Sequence, residues 1–235
     1  MKIESITDIA KRHIQEWIVT GEFQPGQQIK EEEISQRLEI SRPPVREALK
    51  MLEETGLVIR KPRCGVFVPE MTEKDMWEVY TLKAELYEMA ISLAMDMISE
   101  GEISKLESLV QKMEICVEKD PVGLLRYQDL HKRFHNKIMD VAGNYRLKTF
   151  ASNLHNQVSP FSYKSLQNKD HLYSSIHYHR KIVTAMKKKD RSLACKLMKE
   201  HVLNALDVLT DMFTLRTGAP SDLWTRGRTS HSSGL

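Results

Sequence analysis

The sequence contains few cysteines and no long hydrophobic run. Its three cysteines, Cys64, Cys116 and Cys195, are scattered and form no Cys-x-x-Cys pair, which argues against a disulfide framework and against a cysteine-rich zinc module. No apolar stretch reaches transmembrane length, and no signal peptide follows Met1. We therefore expect a cytoplasmic protein with no membrane partner.

The chain also lacks a strong overall positive charge. The net charge is only +3, and residues 1–70 contain 11 basic and 12 acidic side chains. Residues 41–63, however, contain six basic and three acidic side chains. A positive charge confined to a short segment is what a surface that docks into a DNA groove requires.

This basic segment includes the run ISRPPVREAL, residues 40–49, which predicts a turn followed by a helix. Arg42 and Arg46 are four residues apart, so they share one face of that helix near its N-terminus. Two guanidinium groups on one face suit both phosphates and guanine edges, and the sequence does not divide these roles. The candidate DNA contacts of this helix are Ser41, Arg42, Pro43, Pro44 and Arg46.

The elements around this run predict a winged helix-turn-helix. Apolar spacing predicts three helices, over residues 5–20, 31–38 and 43–55. Two short strands follow, over residues 58–59 and 66–68, and they form a hairpin. The hairpin tip would reach a minor groove or the DNA backbone through Lys61, Arg63 and Gly65. The arginine pair alone would favour a solvated basic face, but its place among these elements favours DNA binding.

The rest of the chain shows helical periodicity and no convincing strand. Six helices are predicted, over residues 72–99, 102–118, 122–142, 145–166, 171–188 and 190–215. The breaks between them fall at Gly101, Asp120-Pro121, Gly143-Asn144, residues 168–170 and Asp190. The expected fold class is mainly α, with a three-helix winged head over residues 1–70 and an all-α six-helix bundle over residues 72–215. The composition of residues 216–235 predicts a disordered tail.

Four histidines are candidate metal ligands. His131 and His135 are four residues apart, so both imidazoles can point to one side of a helix, while His179 and His201 lie on two later helices. Four imidazoles that converge in a bundle could hold a divalent transition metal ion. Solvated histidines are the simpler alternative, because the His-x-x-x-His spacing is common. The spacing is not His-Glu-x-x-His, so the carboxylate base of a zinc protease is missing.

Residues 9–68 resemble the GntR-type winged helix. The matching stretches are Pro25-Gly26, Ser41-Arg42-x-Pro44-Val45-Arg46-Glu47-Ala48-Leu49, Gly56-Leu57-Val58 and Gly65-Val66-Phe67-Val68. Two positions depart from the family pattern. Pro43 stands where threonine is usual, and Glu32 stands where some members have an arginine that reaches DNA.

Residues 72–213 resemble the FCD effector domain of the FadR subfamily. The matching stretches are His131-x-x-Phe134-His135, Ala142-Gly143-Asn144-x-x-Leu147, His179-Arg180-x-Ile182 and Asp190-x-x-x-Ala194-x-x-x-Met198-x-x-His201. Many such domains hold a metal ion with one aspartate and three histidines. This resemblance implies a site formed by His131, His135, His179 and His201, in which His131 replaces the usual aspartate. Asp129 is a poor substitute, because it points to another side of the helix.

The replacement of aspartate by His131 has a consequence for the ligand. Four neutral imidazoles leave the charge of a divalent ion uncompensated, which favours an anionic exogenous ligand. They also favour Zn²⁺, Ni²⁺ or Co²⁺ over Mn²⁺ or Mg²⁺. The other histidines match no ligand position, although His155 could face the same cavity.

The resemblance implies a transcriptional regulator and not an enzyme. We expect a homodimeric repressor that binds double-stranded operator DNA and whose affinity is controlled by a small carboxylate at the metal-containing domain. One alternative is a metal-dependent hydrolase or lyase with a DNA-binding appendage, but no general base stands near the histidines at motif spacing. Another is a purely structural metal ion.

Overall fold

The computed structural model describes residues 4–118 and 123–217. In these two ranges the protein is mainly helical, with nine helices and one small antiparallel sheet, and the predicted fold class is confirmed. Within the same ranges, no helix combines the length and the apolar character needed to cross a membrane.

The N-terminal part is a three-helix head with a small sheet. Its elements are α1 (Ile6–Thr20), β1 (Gln28–Ile29), α2 (Glu31–Leu38), α3 (Arg42–Glu54), β2 (Ile59–Lys61) and β3 (Gly65–Phe67). The predicted two-strand hairpin is incomplete, because β1 pairs with β3 and gives the strand order β1-β3-β2. With two residues, β1 is too short to show the alternation from which strands are predicted.

Local sequence explains where the head's helices begin and end. Ser5 accepts a hydrogen bond from the backbone N–H of Asp8 at the start of α1, and Gly21, at a φ of +82°, ends that helix. Within the part of the chain that the structure describes, no side chain caps α3, but Pro43 and Pro44 occupy its first turn. Proline has no backbone N–H, so these two positions need no acceptor, and α3 can begin at Arg42 without a side-chain cap.

The C-terminal part is the predicted set of six helices. They are α4 (Glu73–Met97), α5 (Glu100–Val117), α6 (Leu124–Val141), α7 (Tyr145–Ser165), α8 (Lys169–Lys187) and α9 (Arg191–Thr217). The predicted break between α4 and α5 is present but lies at Ile98 and Ser99, just before Gly101, because Ser99 and Glu102 form a capping box that starts α5 ahead of the glycine. Residues 216 and 217, predicted as tail, belong to α9, and the rest of that segment lies outside the described residues.

The buried apolar side chains form two clusters. One lies in the head around Ile14, Leu49 and Leu52, and the other lies in the bundle around Tyr80 and Phe134. In the bundle α4 packs along α9, and α5 packs against α6 and α8. Head and bundle meet where α1 contacts α7. The histidine-bearing helices α6, α8 and α9 therefore lie in the bundle, and α7 connects it to the head.

Candidate metal centre and nucleic-acid interface

Three helices bring the four predicted histidines together. His131 and His135 come from α6, His179 from α8 and His201 from α9. The Nε2 atom of His135 lies 3.3 Å from the Nε2 atoms of the other three, and those of His131 and His201 are also 3.3 Å apart. One ligand atom from each residue can thus be chosen with all four atoms within 4.8 Å of one another.

This arrangement fits a divalent transition metal ion. Four imidazoles that bind one ion tetrahedrally at about 2.0–2.1 Å separate their nitrogen atoms by roughly 3.3–3.4 Å. Converging unprotonated nitrogen atoms repel each other unless a cation lies between them, and a neutral imidazole has only one N–H to share. The histidine cluster, meaning His131, His135, His179 and His201, could therefore hold such an ion.

Burial keeps these imidazoles in the form that binds metals. His135, His179 and His201 are buried, and His131 is half-buried. Burial lowers the pKa of all four imidazoles well below the ordinary histidine value, and neighbouring imidazoles of the cluster lower it further. Neutral imidazole is the ligand form, so the cluster requires no deprotonation near neutral pH.

Lys83 is a functional candidate that the sequence reasoning missed. Its side chain is 5% exposed and lines a cavity of about 30 Å³ that His131, His135 and His201 also line. Its Nζ atom lies 5.2 Å and 5.1 Å from the ring centres of Tyr80 and Tyr87, and burial lowers the pKa of Lys83 to about 8. Cation–π contacts offset only part of the cost of burying a charge.

A signal for Lys83 was present in the sequence. The lysine stands between Tyr80 and Tyr87, three residues before it and four after it, on the stripe of α4 that faces the bundle core. A charged residue in the middle of an apolar stripe is a candidate for a buried functional group. The apolar stripe of α4 is narrow and polar residues flank it, so one further charged residue in the sequence is not conspicuous.

The other predicted histidine assignments fall into two groups. His155 and His171 are buried, while His13 and His177 are not. His171 lines the same cavity as Lys83, and burial lowers its pKa to about 4. Asp129 is exposed and lies 3.7 Å from Arg133, and it is not among the residues that could hold the ion.

The N-terminal turn of α3 presents its arginines to solvent, but both are paired with acidic residues of α2. The carboxylate of Glu31 accepts hydrogen bonds from Nε and Nη2 of Arg46 at 3.0–3.2 Å. Arg42 lies 2.9 Å from Glu32. Exposed ion pairs of this kind are worth about 0–1 kcal/mol, so a phosphate or a guanine edge can displace the carboxylates.

The hairpin tip is exposed and firmly held. Lys61 and Arg63 are exposed, and the Nζ atom of Lys61 lies 4.6 Å from the ring centre of Phe67. Gly65 has a φ of +107°, and a Cβ atom there would come within 2.9 Å of Gln28. Because the side chain of Gln28 donates to the backbone oxygen of Cys64 at 2.7 Å, β1 fixes the tip. This contact was not predicted, because β1 itself was not.

Comparison with known proteins identifies both halves of the chain. One family model, bacterial regulatory proteins of the gntR family, matches residues 7–68, and a second, the FCD domain, matches residues 78–204. An uncharacterized HTH-type transcriptional regulator of Bacillus subtilis (strain 168), YdhC, is 30% identical over 193 residues, which cover 81% of this chain and 83% of the relative. The gluconate operon transcriptional repressor of the same organism is 24% identical over 201 residues, covering 83% of this chain and 82% of the repressor.

Solved structures share the fold. The structure of McbR/YncC from E. coli gives a TM-score of 0.76 at 20% sequence identity and covers 89% of this chain and 99% of that chain. A GntR transcriptional regulator from Rhodococcus sp. RHA1 gives a TM-score of 0.69 at 19% identity and covers 86% and 96%. At these identities the likeness concerns the fold alone.

Proposed function

Because the chain belongs to the GntR family of bacterial regulatory proteins, with an FCD domain after the DNA-binding head, we propose that it is a repressor controlled by a small carboxylate. Its relatives are transcriptional regulators, which are not enzymes, so the hydrolase or lyase alternative is set aside. The observation that carries the ligand assignment is the buried ammonium of Lys83 beside the histidine cluster. It offers a positive charge that needs an anionic partner.

The head, residues 1–70, is the proposed DNA-binding domain. The N-terminal turn of α3 would enter the major groove with Ser41, Arg42, Pro43, Pro44 and Arg46. The hairpin tip would contact the adjacent minor groove or backbone with Lys61, Arg63 and Gly65. The exposure of Arg42, Arg46, Lys61 and Arg63 supports this assignment.

The histidine cluster would hold a divalent transition metal ion, and Zn²⁺ or Ni²⁺ suits four imidazoles best. Such an ion would supply a positive charge that attracts an anionic ligand to the adjoining cavity. The four side chains are neutral and include no carboxylate, so an anion from solution has to balance the charge. Lys83, on the wall of the adjoining cavity, would orient that anion through a charge-assisted hydrogen bond.

A homodimer is proposed, because a two-part operator needs two heads. Leu82 and Met89 are seven residues apart on α4 and therefore lie on the same face. Their side chains are 52% and 49% exposed, so they offer apolar surface on one face of α4. A two-fold contact between two copies of α4 would bury this face and bring two Lys83-bearing helices together.

Ligand-dependent operator binding tests the proposal. The metal-loaded protein should enrich a roughly palindromic sequence from a random duplex library, because two identical heads read two half-sites. Addition of the matching carboxylate should then change the affinity for that duplex about 5- to 150-fold, measured by fluorescence anisotropy. Recovery of no common sequence would contradict DNA recognition, and an affinity unchanged by every carboxylate would contradict the ligand assignment.

Substitution of Lys83 by methionine should stabilise the protein. Burial lowers the pKa of Lys83 from 10.5 to about 8, and one pKa unit corresponds to about 1.4 kcal/mol. We therefore expect Lys83→Met to raise the free energy of unfolding at pH 7 by roughly 1–3 kcal/mol, measured by urea denaturation. The same variant should lose its response to carboxylates, because the ammonium is gone.

The pH dependence of stability provides the matching control. The unfolded chain keeps a proton on Lys83 up to about pH 10.5, whereas the folded protein loses it near pH 8. The free energy of unfolding of the wild type should therefore rise, relative to that of Lys83→Met, as the pH increases from about 8 to about 10.5. The stability difference between the two proteins should shrink over the same pH range. The exposed Lys181 supplies the control variant Lys181→Met, which should change stability by less than about 0.5 kcal/mol. A lower stability of Lys83→Met than of the wild type at pH 7 would refute the inference that Lys83 carries an unpaired buried charge.

A further inference from the structure

A second cavity, here called the inner chamber, lies between α6 and α7 and has a volume of about 130 Å³. Its inner end is formed by Tyr87 and His135, which also line the smaller cavity that contains Lys83. The polar side chains of the inner chamber are contributed mainly by Lys132, Asn136, His155 and Asn156.

The inner chamber adjoins the boundary between bundle and head. The same four polar residues also line an open cleft of about 940 Å³, whose opposite wall includes Lys11 and Gln15 of α1. Three spaces thus follow one another, from the cleft between α1 and the bundle, through the inner chamber, to the cavity at Lys83. Each space shares lining residues with the next, so the inner chamber lies between the cleft and the cavity beside the histidine cluster.

The lining of the inner chamber suits an anionic group. None of the described residues that line it is acidic, whereas the outer cleft carries acidic and basic residues together. Lys132 supplies a positive charge, and Asn136 and Asn156 supply amide donors. His155 is 6% exposed, and its Nδ1 atom has no hydrogen-bond partner among the described residues. A buried polar atom without a partner on the wall of a cavity indicates a ligand or a water molecule there.

The sizes of the two cavities decide how a ligand would lie. The cavity at Lys83, at about 30 Å³, accommodates one or two water molecules or the head of one carboxylate. The inner chamber is about four times larger, and Tyr87 and His135 line both spaces. A metabolite whose first carboxylate reaches Lys83 would therefore place its remaining atoms in the inner chamber.

We propose that the inner chamber is a second anion-binding subsite and that the ligand of this domain is a dicarboxylate, with one carboxylate beside Lys83 and the other between Lys132 and His155. This inference rests on the proposed function, because it takes Lys83 as the anchor of the first carboxylate. It adds the chemical class of the ligand and assigns the residues that select it.

Lys132 connects the inner chamber to the head. Lys132 and Lys11 of α1 line the same open cleft between bundle and head. Two like charges therefore face each other across the boundary between head and bundle. A carboxylate bound at Lys132 would reduce this repulsion and favour one placement of α1, which gives the ligand a differential affinity for two arrangements of the head.

Calorimetric titration of the Zn²⁺-loaded full chain tests the subsite, with acetate, malonate, succinate and glutarate as probes. We expect at least one dicarboxylate to bind the wild type about tenfold more tightly than acetate, because a second charge-assisted hydrogen bond is formed. Lys132→Met should remove this advantage and leave acetate binding unchanged. Lys181→Met, on an exposed lysine that lines neither cavity, should keep it.

The alternative outcomes separate this inference from the proposed function. Equal affinities for acetate and all three dicarboxylates, or an advantage that survives in both Lys132→Met and His155→Leu, would refute the second subsite while leaving the role of Lys83 intact. His155→Leu also serves if Lys132→Met does not fold. If none of the four acids binds the wild type, the subsite and the carboxylate response are both refuted.

Discussion

Alanine substitution of His179 is expected to abolish stoichiometric metal binding. The wild type, purified without chelator, should carry about one divalent ion per chain, because four neutral imidazoles converge at the spacing a tetrahedral ion requires. His179→Ala and His131→Ala should each lower the metal affinity by more than about 100-fold, since even outer-shell partners contribute about 10- to 100-fold. Elemental analysis after dialysis against a metal buffer measures the loss.

The chain offers a matched control and a diagnostic variant for this experiment. His155 is buried as well but is not among the four residues that could hold the ion, so His155→Ala should keep its metal. His131→Asp should also keep it and restore the donor set of one aspartate and three histidines. Its added negative charge should weaken carboxylate binding and make Mn²⁺ a better competitor. Equal metal content in the wild type, His131→Ala and His179→Ala would exclude the histidine cluster as the site.

Thermal melting separates a sensing ion from a structural one. A structural ion should raise the melting temperature whether or not a carboxylate is present. An ion that belongs to a ligand site should instead make the carboxylate's own stabilisation depend on metal, because ligands that bind only the loaded protein stabilise it by mass action. Stabilisation by carboxylate that persists after chelation would assign the response to Lys83 alone.

The histidine cluster shows how much of a site can be predicted from the spacing of its residues in the sequence. The i and i+4 spacing of His131 and His135 already placed two imidazoles on one side of α6. That His179 and His201 join them depends on how α8 and α9 pack, which periodicity alone does not determine. The resemblance to a known domain supplied that tertiary information, and the structure places all four Nε2 atoms together.

Other features depended on contacts that no local pattern encodes. The pairing of β1 with β3 requires Ile29 to meet Val66 across 37 positions of the sequence, and a two-residue strand has no periodicity to announce it. The predicted start of α5 at residue 102 is two residues too late, because a glycine in a first turn is tolerated when Ser99 and Glu102 cap the helix. Local capping outweighed the usual meaning of glycine as a break.

The ion pairs between α2 and α3 show that local sequence patterns are equally limited in predicting the proposed DNA-binding surface. The sequence places Arg42 and Arg46 on one helix face, but their partners Glu31 and Glu32 come from another helix. The positive charge of this segment is therefore locally neutralised in the absence of DNA. If α3 reads DNA as proposed, binding would exchange the two carboxylates for phosphate oxygens or guanine edges, and the operator affinity would be sensitive to both members of each pair.

Arg46→Ala and Arg42→Ala are each expected to weaken operator binding by about 10- to 100-fold, the equivalent of a bidentate base contact worth ~1–3 kcal/mol. Fluorescence anisotropy at several salt concentrations measures the effect and divides the roles that the sequence leaves open. Removal of an arginine that contacts phosphate should lower, by about one, the slope of the logarithm of the binding constant against the logarithm of the salt concentration. Removal of an arginine that reads a base should leave this slope unchanged and relax the preference for the operator sequence.

A double-mutant cycle separates lost contacts from the charge left behind, because Arg46→Ala leaves the Glu31 carboxylate unneutralised near the DNA. If repulsion by Glu31 causes the loss, Glu31→Gln combined with Arg46→Ala should recover most of the affinity; if Arg46 itself contacts DNA, the loss should persist. Glu32→Gln alone should strengthen binding several-fold by freeing Arg42. Arg180→Ala, on an ion-paired arginine of the bundle, should have no effect, and wild-type affinity in both Arg42→Ala and Arg46→Ala would exclude α3 as the DNA-reading helix.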